Sequence, residues 1–158
     1  MKKSTTLLTF FVISILCVST VQAQKLKTGW YHISMEDSTG IKRTIQETGD
    51  TYFINPTPIL TASDIATISC SWEESQPDYT GQGIYAISMM AAENKKQTWQ
   101  DATRAAIGKN VGFVLDDELL SSPRVNAEIS GGGSQIVGRD IKQMQRYMKV
   151  LKKEIGKR

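Results

Sequence analysis

The sequence predicts an α+β fold: an antiparallel sheet with two helices, ferredoxin-like, preceded by a small β-hairpin or meander extension. Residues 108–138 hold short apolar runs separated by turn residues, which is typical of strands joined by tight loops. Residues 141–155 carry an apolar stripe at helical spacing. Residues 26–55 hold three further short β-prone runs. The predicted organisation is a signal peptide at 1–23, an N-terminal β extension at 24–55 and a main domain at 56–158.

Residues 1–23 have the pattern of a secretory signal peptide. Two lysines follow the first methionine, an apolar segment comes next, and small or permissive residues place a cleavage site after Ala23. The apolar segment is too short for a membrane-spanning helix. We therefore expect an exported protein, periplasmic or extracellular, that begins at Gln24 once processed. The alternatives are a lipoprotein acylated at Cys17, disfavoured by the leucine before that cysteine, and an uncleaved anchor.

Charge and cysteine content argue against two classes of function. The chain carries 19 Lys and Arg against 16 Asp and Glu, so it lacks the strong basic field of a nucleic-acid-binding protein. Loss of the signal peptide leaves Cys70 as the one remaining cysteine, so no intramolecular disulfide is expected. Cys70 lies in an alternating apolar run, where a small buried residue is more typical than a nucleophile.

Residues 24–55 are predicted to form a small three-stranded meander. The β-prone runs are 30–33, 41–45 and 51–54. The aromatic residues of this region are Trp30, Tyr31, Tyr52 and Phe53. We expect them to cover the sheet, with an exposed platform for a peptide or glycan as the alternative. We expect His32 to be packed or at the surface, because no second histidine or cysteine cluster could share a metal with it.

Two prolines, Pro56 and Pro58, are predicted to separate the extension from the main domain. Residues 61–64 can cap a short helical turn. Residues 65–72 and 84–90 are predicted strands that pair antiparallel, joined by a loop at 73–83. The first strand is expected to place one set of side chains on a common face: Ala66, Ile68, Cys70 and Trp72.

Two helices are predicted. The first covers residues 91–107 and ends at Gly108, with Trp99 as a core anchor on its apolar face. The second carries an apolar stripe of Ile141, Met144, Met148, Leu151 and Ile155. Its basic face consists of Lys142, Arg146, Lys149 and Lys153. We expect that face to be solvated, with an anionic membrane surface or an acidic partner as the alternative.

The segment between the helices predicts strands rather than a catalytic site. Asp116, Asp117 and Glu118 divide two apolar runs and are expected to form a hairpin tip. Neighbouring strand residues point to opposite faces, so these carboxylates do not form an acid/base pair, and their spacing is not that of an EF-hand. The three glycines at 131–133 lack the Lys-Ser/Thr of a P-loop and predict a tight connection.

This segment resembles the head subdomain of the first periplasmic domain of SecD, the accessory subunit of the bacterial protein-export channel. The matching residues are Gly108, Lys109, Leu115, Asp116, Ser121, Pro123, Ile129, Gly132, Gln135, Ile136 and Gly138. Upstream, the resemblance adds Leu60, Asp64, Ile65, Trp99 and Thr103. It covers residues 56–155 and leaves 24–55 outside. Asp117 replaces the turn glycine usual in that family, and aspartate tolerates the left-handed backbone that the turn requires.

The resemblance implies a binding or docking role toward another polypeptide in the cell envelope, related to export. The sequence contains no G-x-S-x-G or H-E-x-x-H motif, so we expect no enzyme activity and no catalytic, cofactor or metal residues. The alternative is a periplasmic inhibitor or immunity-type protein that uses the loop at 73–83. A small hydrolase is a third and disfavoured possibility. A membrane-surface partner is possible but not favoured, and a nucleic-acid partner is not expected.

Overall fold

The computed structural model describes residues 24–75 and 84–156, and the predicted signal peptide lies outside this range. The first elements are β1 (Gly29–Ser34), β2 (Ile41–Thr44), β3 (Thr51–Thr61), β4 (Ile65–Ser75) and β5 (Ile84–Ala91). The others are α1 (Lys96–Ala105), β6 (Val111–Leu115), β7 (Glu118–Ser121), β8 (Gly133–Gly138) and α2 (Ile141–Ile155). Short 3₁₀ turns cover Ala62–Asp64 and Glu93–Lys95. No helix in the described ranges is long and apolar enough to cross a membrane.

The strands form two antiparallel sheets. One sheet has five strands in the order β2-β3-β1-β6-β7, and the other has three in the order β4-β5-β8. The α+β class, the antiparallel pairing and the two helices are therefore confirmed. The ferredoxin-like arrangement is not confirmed, because the strands divide between two sheets.

Residues 24–55 belong to the five-stranded sheet and do not form an extension that precedes it. β1 pairs with β3 on one side and with β6 on the other, so the predicted β1-β2-β3 meander order is wrong. The predicted boundary at Pro56 falls inside β3. Residues 55–57 form a bulge in which all three lie opposite His32. A bulge tolerates Pro56, which has no N–H group to donate to the ladder. The pairing resumes at Pro58, which lies opposite Tyr31.

The five-stranded sheet curls until its two edge strands, β2 and β7, contact each other. A small core fills the concave face: Leu26, Tyr31, Ile33, Ile45, Tyr52, Ile54, Val114 and Leu119. The Tyr31 hydroxyl donates to the Lys27 carbonyl over 2.7 Å, and the Ser122 hydroxyl donates to that of Tyr52 over 3.1 Å. Trp30, Tyr31 and Tyr52 therefore pack into the cores beside the sheet and do not form an exposed platform. Phe53 is half-buried.

The main core lies between the convex face of this sheet, the three-stranded sheet and both helices. Trp30 lies at its centre, with ring centroids 5.4 Å from Trp99 and 5.0 Å from Phe113. The indole N–H of Trp99 donates to the carbonyl of Gly133 over 3.0 Å. Trp99 is thus confirmed as a core anchor with 1% of its surface exposed. The three glycines also make the close connection predicted for them, since Gly132 has φ of 76° and its carbonyl accepts from the Ala91 amide over 2.9 Å.

The predicted inward face of β4 is partly wrong. Ile65 is buried and Ile68 packs against the main core, but Ala66 and Cys70 are exposed. A bulge between Ile65 and Thr67 interrupts the alternation of the strand. Cys70 pairs with the fully buried Ile87, yet it lies on an edge strand that the core does not cover at that point. The side chain of Trp72 and most of the predicted 73–83 loop lie outside the description.

Both predicted helices and the turn at 61–64 are confirmed, although the first helix covers Lys96–Ala105 and not 91–107, because Ala91 ends β5. The first helix begins through the 3₁₀ turn at Glu93–Lys95, and Gly108 follows its end with φ of 81°. The turn at Ala62–Asp64 has a capping box, in which the Asp64 carboxylate accepts a hydrogen bond from the Thr61 amide over 2.9 Å. Met144, Met148 and Leu151 form the buried stripe of α2. The four basic residues predicted for its other face are exposed: Lys142, Arg146, Lys149 and Lys153.

Candidate functional site

A groove of about 350 Å³ separates the two sheets along their edges. Leu120 and Ser121 of β7 line one side, and β8 lines the other through Ile136, Val137 and Gly138. α2 closes the groove from a third side. Because β7 and β8 are both edge strands of the described sheets, the groove lies beside backbone groups that have no ladder partner among the described residues.

The floor of the groove is apolar and its walls are partly open. The floor residues are buried: Leu115, Leu119, Ile136 and Met144. Half-buried side chains form the walls: Leu120, Tyr147 and Val150. Val137 is 58% exposed, the most exposed of the large apolar residues in the described ranges. Such a surface can receive apolar side chains of a partner without any rearrangement of the core.

Charged residues surround the groove and are mostly acidic. Glu47, Asp116 and Glu118 contribute carboxylates, and Arg146 of α2 contributes a guanidinium. Burial raises the pKa of the Tyr147 hydroxyl, and the nearby Glu118 carboxylate raises it further. Tyr147 is therefore a neutral hydrogen-bonding group at neutral pH, beside an acidic rim.

The close approach of α2 to β8 forms the groove. A Cβ atom added to Gly138 would lie 2.8 Å from the sulfur of Met144, so a larger residue here would require the Met144 side chain or the helix to shift. Asp140 caps the helix, and its carboxylate accepts from the amides of Lys142 and Gln143 over 2.8 and 3.2 Å. The cap fixes where the helix begins, and the helical period then places Tyr147 and Val150 on the groove side.

One polar atom beside the groove has no hydrogen-bond partner. The Oγ atom of Ser121 is buried and unpaired in the described part of the chain. A buried hydroxyl without a partner is destabilising, and a ligand with a donor or acceptor at this position would satisfy it.

The predicted acidic turn is confirmed as a tight hairpin. Leu115 pairs with Glu118 across the two-residue loop Asp116-Asp117, whose φ angles are 47° and 74°. The Asp117 carboxylate accepts from the Leu26 amide over 2.8 Å and from the Arg43 guanidinium over 2.6 Å. Burial alone would raise the pKa of Asp117, but these contacts together lower it below its ordinary value. The Asp117 carboxylate therefore stabilises the fold, whereas Asp116 lines the groove.

His32 is half-buried on β1 and does not line the groove. The sequence predicted a packed or surface position for it. Burial lowers the pKa of its imidazole, and the nearby Lys109 lowers it further. In the described ranges, no three His, Cys, Asp or Glu residues come together as a potential metal site. The expectation that the protein has no catalytic, cofactor or metal residues stays a prediction.

Residues 38–152 match the family model of the SecDF P1 head subdomain. The chain belongs to this family. The match begins upstream of Pro56, so the family region includes part of the N-terminal segment that the sequence resemblance left outside. This agrees with the position of β1, β2 and β3 in one sheet with β6 and β7.

The chain is also similar to part of several translocase subunits. It is 27% identical over 95 residues to protein translocase subunit SecD of Acidaminococcus fermentans, covering 60% of this chain and 21% of that protein. It is 35% identical over 63 residues to SecD of Mycobacterium tuberculosis strain CDC 1551, covering 40% and 11%. The chain thus spans about a fifth or less of the length of these relatives.

Solved structures support the fold. A structure described as a membrane component SecDF that enhances protein export has a TM-score of 0.58 and 19% identity, over 82% of this chain and 63% of that one. SecDF in a super-membrane-facing form has a TM-score of 0.57 and 20% identity, over 82% and 19%. At these identities the likeness shows the fold alone.

Several residues that carry the sequence resemblance line the groove. They are Leu115, Asp116, Ser121, Ile136 and Gly138. The sequence reasoning missed the contributions of Gln143, Tyr147 and Val150. These three recur at steps of four and three beside the buried stripe of α2, and that spacing was the available signal. It also missed residues 45–47, because the curl of the sheet that brings them to the groove is a tertiary feature.

Proposed function

We propose that this protein binds extended segments of another polypeptide in the groove between β7 and β8, in the cell envelope and without chemical turnover. Its membership of the SecDF P1 head family supports a role related to protein export. The relatives that it matches are protein translocase subunits. The observation that carries the proposal is an apolar groove bounded by two sheet edges.

Strand addition to β8 is the physical route. All six residues of β8 are uncharged, and its pairing with β5 leaves its other edge without a strand partner in the described ranges. An added peptide strand gains backbone hydrogen bonds whatever its sequence, and alternate side chains enter the groove. The route therefore gives binding of broad specificity, as a protein that receives many polypeptides requires.

The charges around the groove refine the expected ligand. Glu47 and Glu118 leave the rim acidic beside the Arg146 guanidinium, and Asp116 adds a carboxylate that pairs with Lys25 over 3.0 Å. Extended segments with apolar residues flanked by Lys or Arg complement this arrangement, whereas acidic segments are repelled. The preference should weaken with salt, because the rim residues Glu47, Asp116 and Glu118 are exposed.

Binding is tested by calorimetric titration of the protein with a reduced, alkylated unfolded polypeptide and with short alternating apolar peptides. Val137→Lys places a charge on the exposed edge of the groove and should weaken binding about tenfold or more. Ile107→Lys is the matched control, since Ile107 is 50% exposed and does not line the groove. No heat with any unfolded ligand, together with tight binding of one folded envelope protein, would favour the inhibitor function instead.

The cellular location is part of the proposal and has its own test. The composition of residues 1–23 supports export with cleavage after Ala23. The protein recovered from the cell envelope or the medium should have an intact mass that begins at Gln24. A lipid-modified mass that begins at Cys17 would contradict cleavage at this position.

A further inference from the structure

The edge strands of the two sheets differ in how they are protected. β2 is four residues long and carries Lys42 and Arg43, and β7 is four residues long and begins at Glu118. Short length and charge are the usual protection of an edge against pairing with another chain. β4 is less protected over most of its length: it is 11 residues long, its first seven residues, IATISCS, carry no charge, proline or glycine, and its two charges, Glu73 and Glu74, come near its end. It is therefore the longest edge strand in the described ranges, with seven uncharged residues in a row, whereas β8, the other edge of its sheet, has six residues.

The side chains of β4 near this edge are open to solvent. Ala66, Thr67, Ser69, Cys70 and Ser71 are all exposed. β4 pairs with β5 on one side, and no described strand pairs with it on the other. Between Thr67 and Ser71, the described strands thus leave the backbone groups that point away from β5 to a further strand.

The outer face of the three-stranded sheet beside this edge is also uncharged. Ser69 pairs with Ser88, and Ser71 pairs with Ala86. On the next strand, Gln135 pairs with Ser88 and Val137 pairs with Ala86. Another sheet of the same kind could extend this face without placing like charges together.

We propose that β4 is a self-association surface, and that its partner is the β4 strand of a second copy of this chain. Antiparallel pairing of one strand with its own copy has twofold symmetry, so it closes as a dimer. The product is a continuous six-stranded sheet with the order β8-β5-β4-β4-β5-β8. The inference is independent of the β7–β8 groove.

The sequence around Cys70 favours this partner. Pairing centred on Cys70 places Ser69 of one copy opposite Ser71 of the other, so each serine meets a serine. Hydroxyl pairs of this kind are favourable across antiparallel strands. The two Cys70 side chains meet at the symmetry axis, with Cβ atoms about 4.5–5.5 Å apart.

The test is a charge-swap experiment on the full-length protein, read by sedimentation velocity. The native protein should form a concentration-dependent dimer. Ser69→Lys combined with Ser71→Lys places like charges opposite each other twice and should weaken the dimer about tenfold or more. Ser69→Glu with Ser71→Glu should have the same effect. An equimolar mixture of the two variants should recover the dimer as a heterodimer, which also shows that both variants fold.

The control adds two lysines elsewhere, as Asn126→Lys with Ser130→Lys, both at exposed positions. This variant should dimerise as the native protein does. A monomeric native protein at about 100 µM would overturn the proposal. Failure of the mixture to recover the dimer would also overturn it. So would unchanged dimerisation of the variant with Ser69→Lys and Ser71→Lys. Displacement of the second copy by an unfolded polypeptide at equal concentration would assign β4 to another kind of partner.

Discussion

Among single residues, Asp117 connects three separate parts of the chain. Its carboxylate accepts from the Leu26 amide before β1 and from Arg43 on β2, while its own backbone closes the β6–β7 hairpin. The Asp117 carbonyl also accepts from Arg43 Nε over 3.0 Å. Asp117 and Arg43 therefore hold together the two edges of the curled sheet.

Asp117→Asn should reduce stability at neutral pH and have less effect in acid. Asparagine tolerates the positive φ of this position, so the substitution removes mainly the charge. The pKa of Asp117 is lowered in the folded protein, so its carboxylate stabilises the fold fully above the ordinary aspartate pKa. That contribution is lost as the pH falls through the lower folded-state pKa.

Urea unfolding of the native protein and the variant at about pH 6 and about pH 3 measures this difference. The gap between the two midpoints should narrow in acid. An equal gap at both pH values would show that the Asp117 charge does not contribute to stability.

At this scale the sequence predicted the conformation of Asp117 but not its partners. The tolerance of aspartate for a left-handed backbone is a local property, so the hairpin could be recognised from residues 115–118 alone. Leu26 and Arg43 lie 91 and 74 positions away along the chain. No local pattern indicates which distant group will receive a carboxylate.

Among the elements, the contact between α2 and β8 determines the shape of the groove. Gly138 ends β8, and its missing side chain lets Met144 of α2 lie against the strand. Met144 is 1% exposed and is part of the main core, so its side chain has little space to move aside. A larger residue at position 138 would therefore force a shift of the packed Met144 side chain or of the helix that carries it.

Gly138→Ala should destabilise the protein by about 1–3 kcal/mol, because the added methyl group overlaps Met144. Gly131→Ala is the matched control, since a Cβ atom there would meet no other atom within 4 Å. The control should be close to neutral. Urea midpoints of the two variants measure the difference, and equal midpoints would show that α2 does not pack against β8 as described.

The two helices were predicted well because their periodicity is local. The apolar stripe of α2 extends over four turns, and each position follows from the helical period. The inward face of β4 was predicted less well, since one bulge between Ile65 and Thr67 changes which residues point inward. The bulge does not explain the exposure of Cys70. Cys70 is exposed because the main core does not extend to its position on the edge strand β4.

At the scale of the whole molecule, the described residues form two sheets that share the main core. The sequence predicted the strands themselves, but it set residues 24–55 apart as an extension and left open whether they join the main sheet. Two prolines in β3 resemble a linker, yet Pro56 lies in a bulge of the strand and Pro58 pairs with Tyr31. Pairing of β1 with β6 joins residues about 80 positions apart, and such long-range pairings are not contained in any local window.

The groove exists because of this arrangement, since one of its edges comes from each sheet. Its residues were visible in the sequence only as separate strands and a helix. What the sequence did indicate was the family, through residues that turned out to line the groove, such as Ser121 and Gly138. Family membership therefore supports the kind of role that we propose, and the geometry of the groove supports where on the protein the partner binds.

The most direct test of that role is an NMR titration of the isotope-labelled protein with an unfolded polypeptide. The amide resonances of Leu120, Ile136, Val137 and Gly138 should shift, and the amides on the open edge of β8 should become protected from hydrogen exchange. Val137→Lys should abolish these shifts at the same ligand concentration, while Ile107→Lys should leave them unchanged. Absence of shifts with every unfolded ligand, or shifts confined to residues outside the groove, would contradict the account.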